Sequence, residues 1–539
     1  MADHRGPVPF TIGRFTESPT GPAPVDLLVV GGGITGAAVA YQAAVSGLRV
    51  ALVEADDFGG ATSAATGKLI HGGLRYLKRF EVGLVRESLR ERRVMSNIAP
   101  NLIDTYPTVL PDADLVMRAG LTAYDALSFD RNRVLDPAKR IPRHRRHGEG
   151  GLLYHDCLMI SPERLTLAFV RSAAAAGALV ANHARAGELL TDGGRVVGAR
   201  VLDRLSGHVH DIRAGVVLNA TGPWAFDTLA TTPLTKGSAG EAPTVRSEGI
   251  YLITRRLTDV MTLHVTPHGH FSSAPWRGHS MIGPTERAYR GAASDWRLTT
   301  EGVEEFLAVV NGSGLVPVRL GLDDVLHAYG GLRPLTEEAG EDTYHASRGA
   351  EVIDHEDAEH GRIAGLITAA GGKYTTSRAF AEHVLPMVAR KLGRRLPRVR
   401  TDAVGLHGCT TGPIEEYVAA STARNPDFSP ETVRHLARHH GTEHDAVLAL
   451  ARTDAALGGP LDADGEILAQ AVVAARHESA RTLADVLLRR TGLGTLGHPG
   501  LDVLELVAEV VGVELGWDDA RRDAEVRDVH ARLTLPWQR

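Results

Sequence analysis

The apolar and polar positions divide the chain into three textures. Asp26-Leu27-Leu28-Val29-Val30 is a short apolar run of the length of a buried strand. It leads directly into Gly31-Gly32-Gly33-Ile34-Thr35-Gly36, and then into an Ala-rich stretch from about Ala37 to Ser46 that predicts a helix stopped by Gly47. Arg49 to Val53 predicts a second strand ending at Glu54, so this segment reads as one complete βαβ unit. Strand patterns return at 178–181, 196–202, 215–220 and 362–368, each beside Gly-rich turns, and predict a parallel sheet assembled from separated segments. Between about 240 and 325 the short strand patterns at 250–254, 262–265 and 279–282 suit an antiparallel sheet. Beyond about 400 the pattern is helical, at 430–456, 465–490 and 500–512.

Composition narrows the class. At 539 residues the chain exceeds one ordinary core and predicts two or three domains. A hydrophobic share of 43% with 23% charged residues is that of a globular protein. The net charge of −6 gives no basic face for nucleic acid. The 25 histidines are scattered, and none has the helical spacing beside a glutamate that a zinc hydrolase requires. His327 and the His439-His440 pair read as ordinary core or surface residues. Cys157 and Cys409 are far apart, which excludes a disulfide framework and a cysteine metal site and fits a reducing compartment. Residues 1–24 read as a disordered leader without the apolar core of a secretory signal. No run approaches the ~20 apolar residues of a membrane span. A soluble or peripherally attached, cytoplasmic protein is expected.

The G-x-G-x-x-G at Gly31, Gly33 and Gly36 has a mechanical meaning. The first glycine makes the turn, the second admits a pyrophosphate to the backbone, and the third lets helix and strand pack. Glu54 is placed to accept hydrogen bonds from a ribose. With the strand before it, the helix after it and the acid at its end, the unit is a dinucleotide site. By itself it leaves NAD and FAD open.

The next stretch, Ala61-Thr62-Ser63-Ala64-Ala65-Thr66-Gly67-Lys68-Leu69-Ile70-His71-Gly72-Gly73-Leu74-Arg75-Tyr76-Leu77, resembles the signature of FAD-dependent glycerol-3-phosphate dehydrogenases. Asn219-Ala220-Thr221-Gly222-Pro223-Trp224, Gly330-Gly331-Leu332-Arg333-Pro334-Leu335 and Ala370-Gly371-Gly372-Lys373-Tyr374-Thr375-Thr376-Ser377-Arg378 resemble further blocks of that family, in order. Ala474 to Leu487 with Arg489-Arg490 fits its helical C-terminal signature, and those charges read as interhelical ion pairs. The resemblance runs from residue 26 to about 490.

It implies FAD as cofactor and a three-part architecture. Residues 25–100, 151–235 and 326–395 form a Rossmann-type FAD-binding domain. Residues 101–150 and 236–325 form a substrate domain with an antiparallel sheet, as in D-amino-acid oxidases, and 396–539 form a helical domain. Thr62, Ser63 and Lys68 are expected at cofactor phosphates, Gly72 beside the flavin ring, and Gly222, Gly371, Gly372 and Thr375 against the cofactor. His71, Arg75, Tyr251, Arg333 and Lys373 are the catalytic candidates. Arg333 and, more weakly, Arg348 are expected to clamp a substrate phosphate, because a planar guanidinium holds two oxygens at once. Lys373 either steadies an alkoxide or helps fix that phosphate. No metal is expected.

The resemblance breaks in Arg246-Ser247-Glu248-Gly249-Ile250-Tyr251-Leu252, where the family carries a basic residue, a glycine and a histidine. Glu248 stands for the basic residue, and in the pocket it would repel a phosphate. Tyr251 replaces the histidine, and a phenol with a reference pKa of about 10 is a poorer base than imidazole. Ile282-Gly283-Pro284-Thr285-Glu286 departs from a second block. The expected activity is oxidation of sn-glycerol 3-phosphate to dihydroxyacetone phosphate, with electrons passed to a quinone at the inner face of the membrane by a homodimer. Another small phosphorylated or carboxylated alcohol, or oxygen as acceptor, is the alternative. A flavoprotein without turnover is the reading from a different class.

Overall fold

The computed structural model describes residues 8–18, 21–74, 81–111, 114–129, 144–147, 151–229, 245–266, 269–314, 316, 318–333, 350–357 and 362–539. The predicted βαβ unit is present as strand Val25–Val30, helix Ile34–Val45 and strand Val50–Val53. Its two strands pair in parallel, Leu27 opposite Val50. Strand Val50–Val53 is buried at every residue, as a central parallel strand covered on both faces must be. The sheet runs Ala350–Asp354, Leu366–Gly371, Val209–Asn219, Val25–Val30, Val50–Val53, Leu179–Ala181. Along this path the pairs are parallel except at the Ala350–Asp354 edge; Arg195–Asp203, expected among the parallel strands, instead pairs antiparallel with Val209–Asn219 and with Ala184–Asp192, because it belongs to a hairpin hung on the sheet. Helices Pro162–Ala175 and Ser377–Lys391 pack against helix Ile34–Val45, enclosing Leu27, Val29, Phe169 and Val384 in one core.

A second sheet orders Arg287–Tyr289, Arg246–Arg255, His279–Gly283, Gly269–Trp276, Met261–Thr266, Ile103–Leu110, Gly151–Met159, Leu69–Ile70. Val325–Arg333 joins it beside Arg246–Arg255, and Arg145–His147 beside Gly151–Met159. The pairs are antiparallel except Met261–Thr266 with Ile103–Leu110. This moves three segments across the expected domain boundary. Leu69–Ile70, Gly151–Met159 and Val325–Arg333 fall in sequence ranges assigned to the cofactor domain, yet their ladder partners belong to the substrate sheet. An apolar run marks a strand but does not name its partner, and Ser247 pairs with Arg333 across 86 intervening steps of chain.

Beyond residue 400 the described chain is helical; the 500–512 pattern is one helix, Leu501–Leu515, and the other two patterns are broken into shorter pieces. The 430–456 pattern is two helices, Pro430–His440 and His444–Ala451, broken at Gly441 (φ +55°), where a Cβ would overlap the Gly408 carbonyl oxygen. The 465–490 pattern is helix Leu468–His477, a single turn Leu483–Asp485 and a wide π-helical turn Val486–Arg490.

The expected disordered leader needs correcting over residues 8–17. Ile12 is 2% exposed, and Phe10 donates its N–H to the Glu443 carboxylate at 2.8 Å. Arg14 is buried and pairs with Asp203 at 2.6 Å. Polar composition suggests a solvated tail, but one apolar side chain and one buried ion pair suffice to pin it across two domains.

Candidate active site

The glycine turn is built as its spacing requires. Gly31 has φ +108°, and a Cβ there would stand 2.5 Å from the Ala220 carbonyl oxygen. A Cβ on Gly36 would overlap the Gly31 carbonyl oxygen, so only glycine lets helix Ile34–Val45 start this close to the strand. Gly33 caps that helix and has no side chain of its own to accept from its first N–H groups. The exposed amides and the helix dipole make this an anion site. Ser63 Oγ accepts from Ile34 N at 3.0 Å, which leaves its own O–H to donate into the cleft. Glu54 accepts from Gly32 N at 2.6 Å and Asp56 N at 2.9 Å. Burial pushes its carboxyl above the usual carboxylate range, against the pull of those two amides.

A cavity of 1140 Å³ starts at this turn and runs between the two sheets. Gly31, Gly33, Glu54, Thr62, Ser63 and Gly222 line its dinucleotide half. Gly371 and Gly372, with φ +67° and +98°, turn strand Leu366–Gly371 into Lys373 and Thr375, and all four line the other half. His71, Tyr251 and Arg333 reach it from the substrate sheet. The volume exceeds that of a drug-sized pocket and suits a dinucleotide with a small substrate beside it. Arg75 and Arg348 lie outside the described residues.

Two expected cofactor contacts, Lys68 and Gly72, are placed outside the cavity lining, and a third, Thr62, lines it with its hydroxyl proton already engaged. Lys68 does not line the cavity: it is buried with φ +56°, its Nζ 4.6 Å from the Trp276 ring and 5.5 Å from the Tyr329 ring. Burial pushes its ammonium down from the usual lysine value. Gly72 lies behind the wall, where its N–H donates to Tyr124 Oη (2.9 Å) and Asp156 Oδ1 (3.2 Å). Thr62 lines the cleft but donates its hydroxyl proton to the Leu332 carbonyl at 2.6 Å, tying the loop to the substrate sheet. In each case a small or polar residue near a glycine turn serves packing between the sheets, which the motif alone does not distinguish.

Arg333 lies over Gly249, where a Cβ would overlap its Nη2. Its nearest partners are weakly placed: Ser247 Oγ and the Thr285 carbonyl at 3.4 Å, and the Glu286 carboxylate at 3.5 Å. Glu248 does not face the cavity. Its Oε2 accepts from Trp296 Nε1 at 2.6 Å, and its Oε1 sits 3.1 Å from Arg287 Nε. Tyr251 is buried and stacks on Tyr329, ring centroids 5.2 Å apart. His71 Nδ1 accepts from Gly73 N at 3.1 Å, so the neutral ring carries its proton on Nε2. Its backbone N–H donates to Thr375 Oγ1 at 3.3 Å, joining the two halves of the wall.

Sequence reasoning missed His270, Asp156 and Arg489, which also line the cavity. His270 belongs to strand Gly269–Trp276, where nothing but topology connects it to the glycine motifs. Asp156 anchors the floor, accepting from Tyr124 Oη at 2.7 Å and Arg92 Nη1 at 2.5 Å. Asp57, His183 and Asp485 bring ligand atoms within 4.8 Å of one another. Arg490 holds both Asp57 oxygens and His183 Nε2 meets Asp485 at 2.8 Å, so these are the ion pairs of a domain contact.

Comparison with known proteins agrees with the site. Residues 26–385 match the family described as FAD dependent oxidoreductase, and 399–522 match the C-terminal domain of alpha-glycerophosphate oxidase. A Mycobacterium tuberculosis protein named glycerol-3-phosphate dehydrogenase 2 is 33% identical over 94% of this chain and 88% of its own.

The chain belongs to the FAD-dependent glycerol-3-phosphate dehydrogenase family.

Within that family, a Bacillus subtilis protein named aerobic glycerol-3-phosphate dehydrogenase is 30% identical over 87% of each chain. The crystal structure of the Bacillus halodurans glycerol-3-phosphate dehydrogenase, complexed with FAD, covers 96% of each chain with a TM-score of 0.74 at 26% identity. FAD is the cofactor of this fold, and the anion-binding turn, the Gly36 packing and the long cleft of this chain fit it. The Rossmann-type domain, the antiparallel substrate sheet and the helical C-terminal domain are those of the family.

Proposed function

We propose that the chain oxidises sn-glycerol 3-phosphate to dihydroxyacetone phosphate. The observation that carries this reading is the meeting of Arg333, at the end of a substrate-sheet strand, and Lys373, in the turn that follows a strand of the parallel sheet, 40 residues apart in sequence, in one cavity continuous with the dinucleotide cleft. Both are cations, and Arg333 presents a fork suited to two phosphate oxygens. FAD, when bound, supplies the two-electron acceptor for the C2 hydrogen. Arg333 holds the phosphate, and Lys373 stabilises the negative charge that develops on the substrate oxygen. His71 lines the cavity with its Nδ1 already accepting from Gly73 N, so in this tautomer that nitrogen is spent as a base. His270 is the imidazole we assign to take the hydroxyl proton, in place of the phenol of Tyr251.

Anaerobic mixing with glycerol 3-phosphate should bleach the flavin absorbance. FAD that stays oxidised at saturating substrate would overturn the assignment. A second reading, another small phosphorylated or carboxylated alcohol, is favoured by the Glu286 carboxylate beside Arg333, and a panel of such alcohols assayed by flavin bleaching separates the two.

For the acceptor we propose a quinone rather than oxygen. The relatives at 30% identity or more reported above are named dehydrogenases. No helix among the described residues is long and apolar enough to cross a membrane, but Leu115 and Val116 are 82% and 72% exposed, and Val116 lines the cavity. An apolar rim at the cavity supports a peripheral approach to the inner face of the membrane. A homodimer is proposed with it and is checked by light scattering.

A further inference from the structure

One helix end of the C-terminal domain reaches the cofactor cavity. Thr482 caps the turn Leu483–Asp485, accepting from Asp485 N, and the chain then widens into the π-helical turn Val486–Arg490. In an α-helix neighbouring side chains point about 100° apart, yet here two successive arginines both meet the loop 57–60. Arg490 is fully committed: it grips both Asp57 oxygens at 2.6 and 2.8 Å and donates Nε to the Glu478 carbonyl at 3.1 Å. Arg489 is not. Its guanidinium stands over Gly60, where a Cβ would lie 3.5 Å from Nη2 and 3.7 Å from Nε. Its Nε is buried with no acceptor, and Nη1 makes one long bond, 3.4 Å, to the Leu488 carbonyl. Among the described residues no carboxylate pairs with it. The nearby acids are taken, Asp57 by Arg490 and Asp56 by Arg204.

A guanidinium with unspent donors on a cavity wall is matched by an anion in that cavity. Gly60 leads directly into Ala61–Ser63, and Ser63 caps the amide of Ile34 at the helix start where the cofactor phosphates belong. The geometry points to Arg489 as a cofactor-binding residue: a cation that the C-terminal domain delivers to the pyrophosphate of FAD, so that docking of this domain and retention of the flavin are one event. This rests on FAD being the cofactor. Arg490 and Asp57 supply the docking half, and Arg489 the binding half. Flavin retention would then report whether the helical domain is seated.

The test uses the purified holoenzyme of the parent, Arg489→Ala, Arg489→Gln and Arg489→Lys. Flavin release on dilution is followed by fluorescence, and rebinding of FAD and of riboflavin, which lacks phosphate, is then titrated. Arg489→Ala and Arg489→Gln should weaken FAD by about tenfold or more, the loss of a charge-assisted contact, and leave riboflavin unchanged. Arg489→Lys should recover part of the loss, and the salt dependence of FAD binding should be shallower in Ala and Gln than in the parent. FAD affinity unchanged in the Gln variant overturns the inference, as does an equal loss for FAD and riboflavin, which marks a packing role. A parent protein that carries no FAD at all would count instead against the cofactor assignment itself.

Discussion

The Arg333 guanidinium lies against Gly249 on the facing strand, where a Cβ would overlap its Nη2. The ladder that pairs Ser247 with Arg333 and Gly249 with Gly331 thereby aims the cation into the cavity. Gly249→Ala should displace Arg333 while leaving FAD bound. Steady-state kinetics should show a raised KM for glycerol 3-phosphate with a normal flavin spectrum. An unchanged KM would mean that Arg333 does not touch the substrate.

Removing the cation itself is the stronger version. Arg333→Ala should raise KM by about 10- to 100-fold, the worth of a charge-assisted contact. Arg333→Lys should fall between, because an ammonium keeps the charge and loses the fork. A loss confined to kcat would move Arg333 from phosphate binding to the chemical step.

Glu248 separates a structural from a catalytic carboxylate. It is buried against Trp296 Nε1 and Arg287, away from the cavity. Glu248→Gln should therefore cost stability, about 1–3 kcal/mol for the unsettled buried partners, and leave KM near that of the parent. Thermal unfolding beside kinetics checks it. A fall in KM for the phosphate ester would show that the carboxylate does repel substrate.

Acid should loosen the C-terminal domain. Glu478 is buried, which alone would raise its carboxyl, but Arg164, 2.6 Å away, and Arg171 outweigh burial and hold it at about 2. A folded value below the ordinary 4.5 means that the unfolded chain binds the proton more readily. The stabilisation is complete above that ordinary value and is lost as pH falls from there toward 2. Tm should drop through this window, and Glu478→Gln should flatten the drop while lowering Tm at neutral pH. A parent curve with no slope there would show that Arg164–Glu478 does not couple the domains.

If Leu115 and Val116 meet lipid, a double change to Asp should weaken co-sedimentation with anionic vesicles and slow quinone reduction. Reduction of FAD by glycerol 3-phosphate under anaerobic conditions should stay as it was. Unchanged sedimentation would leave the membrane contact elsewhere.

Local chemistry was readable wherever one short segment contains its own reason. The Gly31–Gly36 turn, its helix and Glu54 lie within 24 residues, and the cofactor site could be placed from them. His71, Tyr251, Arg333 and Lys373 were found through motifs and do share the cavity. Lys68 and Gly72 belong to the same motif yet serve its back side, because a signature carries packing residues and contact residues alike. His270 carried no local mark, and Arg489-Arg490 was marked only as a source of interhelical ion pairs, whereas Arg490 pairs with Asp57 of the cofactor domain and Arg489 lines the cavity. One sits on an unremarkable strand and the other at the end of a distant helix, and only folding brings them to the cleft.

By itself, then, the order of residues determined the βαβ unit, the division into a parallel, an antiparallel and a helical region, and the family to which they belong, since each depends on periodicity and spacing over tens of residues. Tertiary structure alone decided which strand pairs with which, which way Glu248 points, and which arginines remain unspent. Those outcomes depend on partners from about forty to more than four hundred positions away, and on competition among carboxylates for the same cations, which no stretch of sequence records.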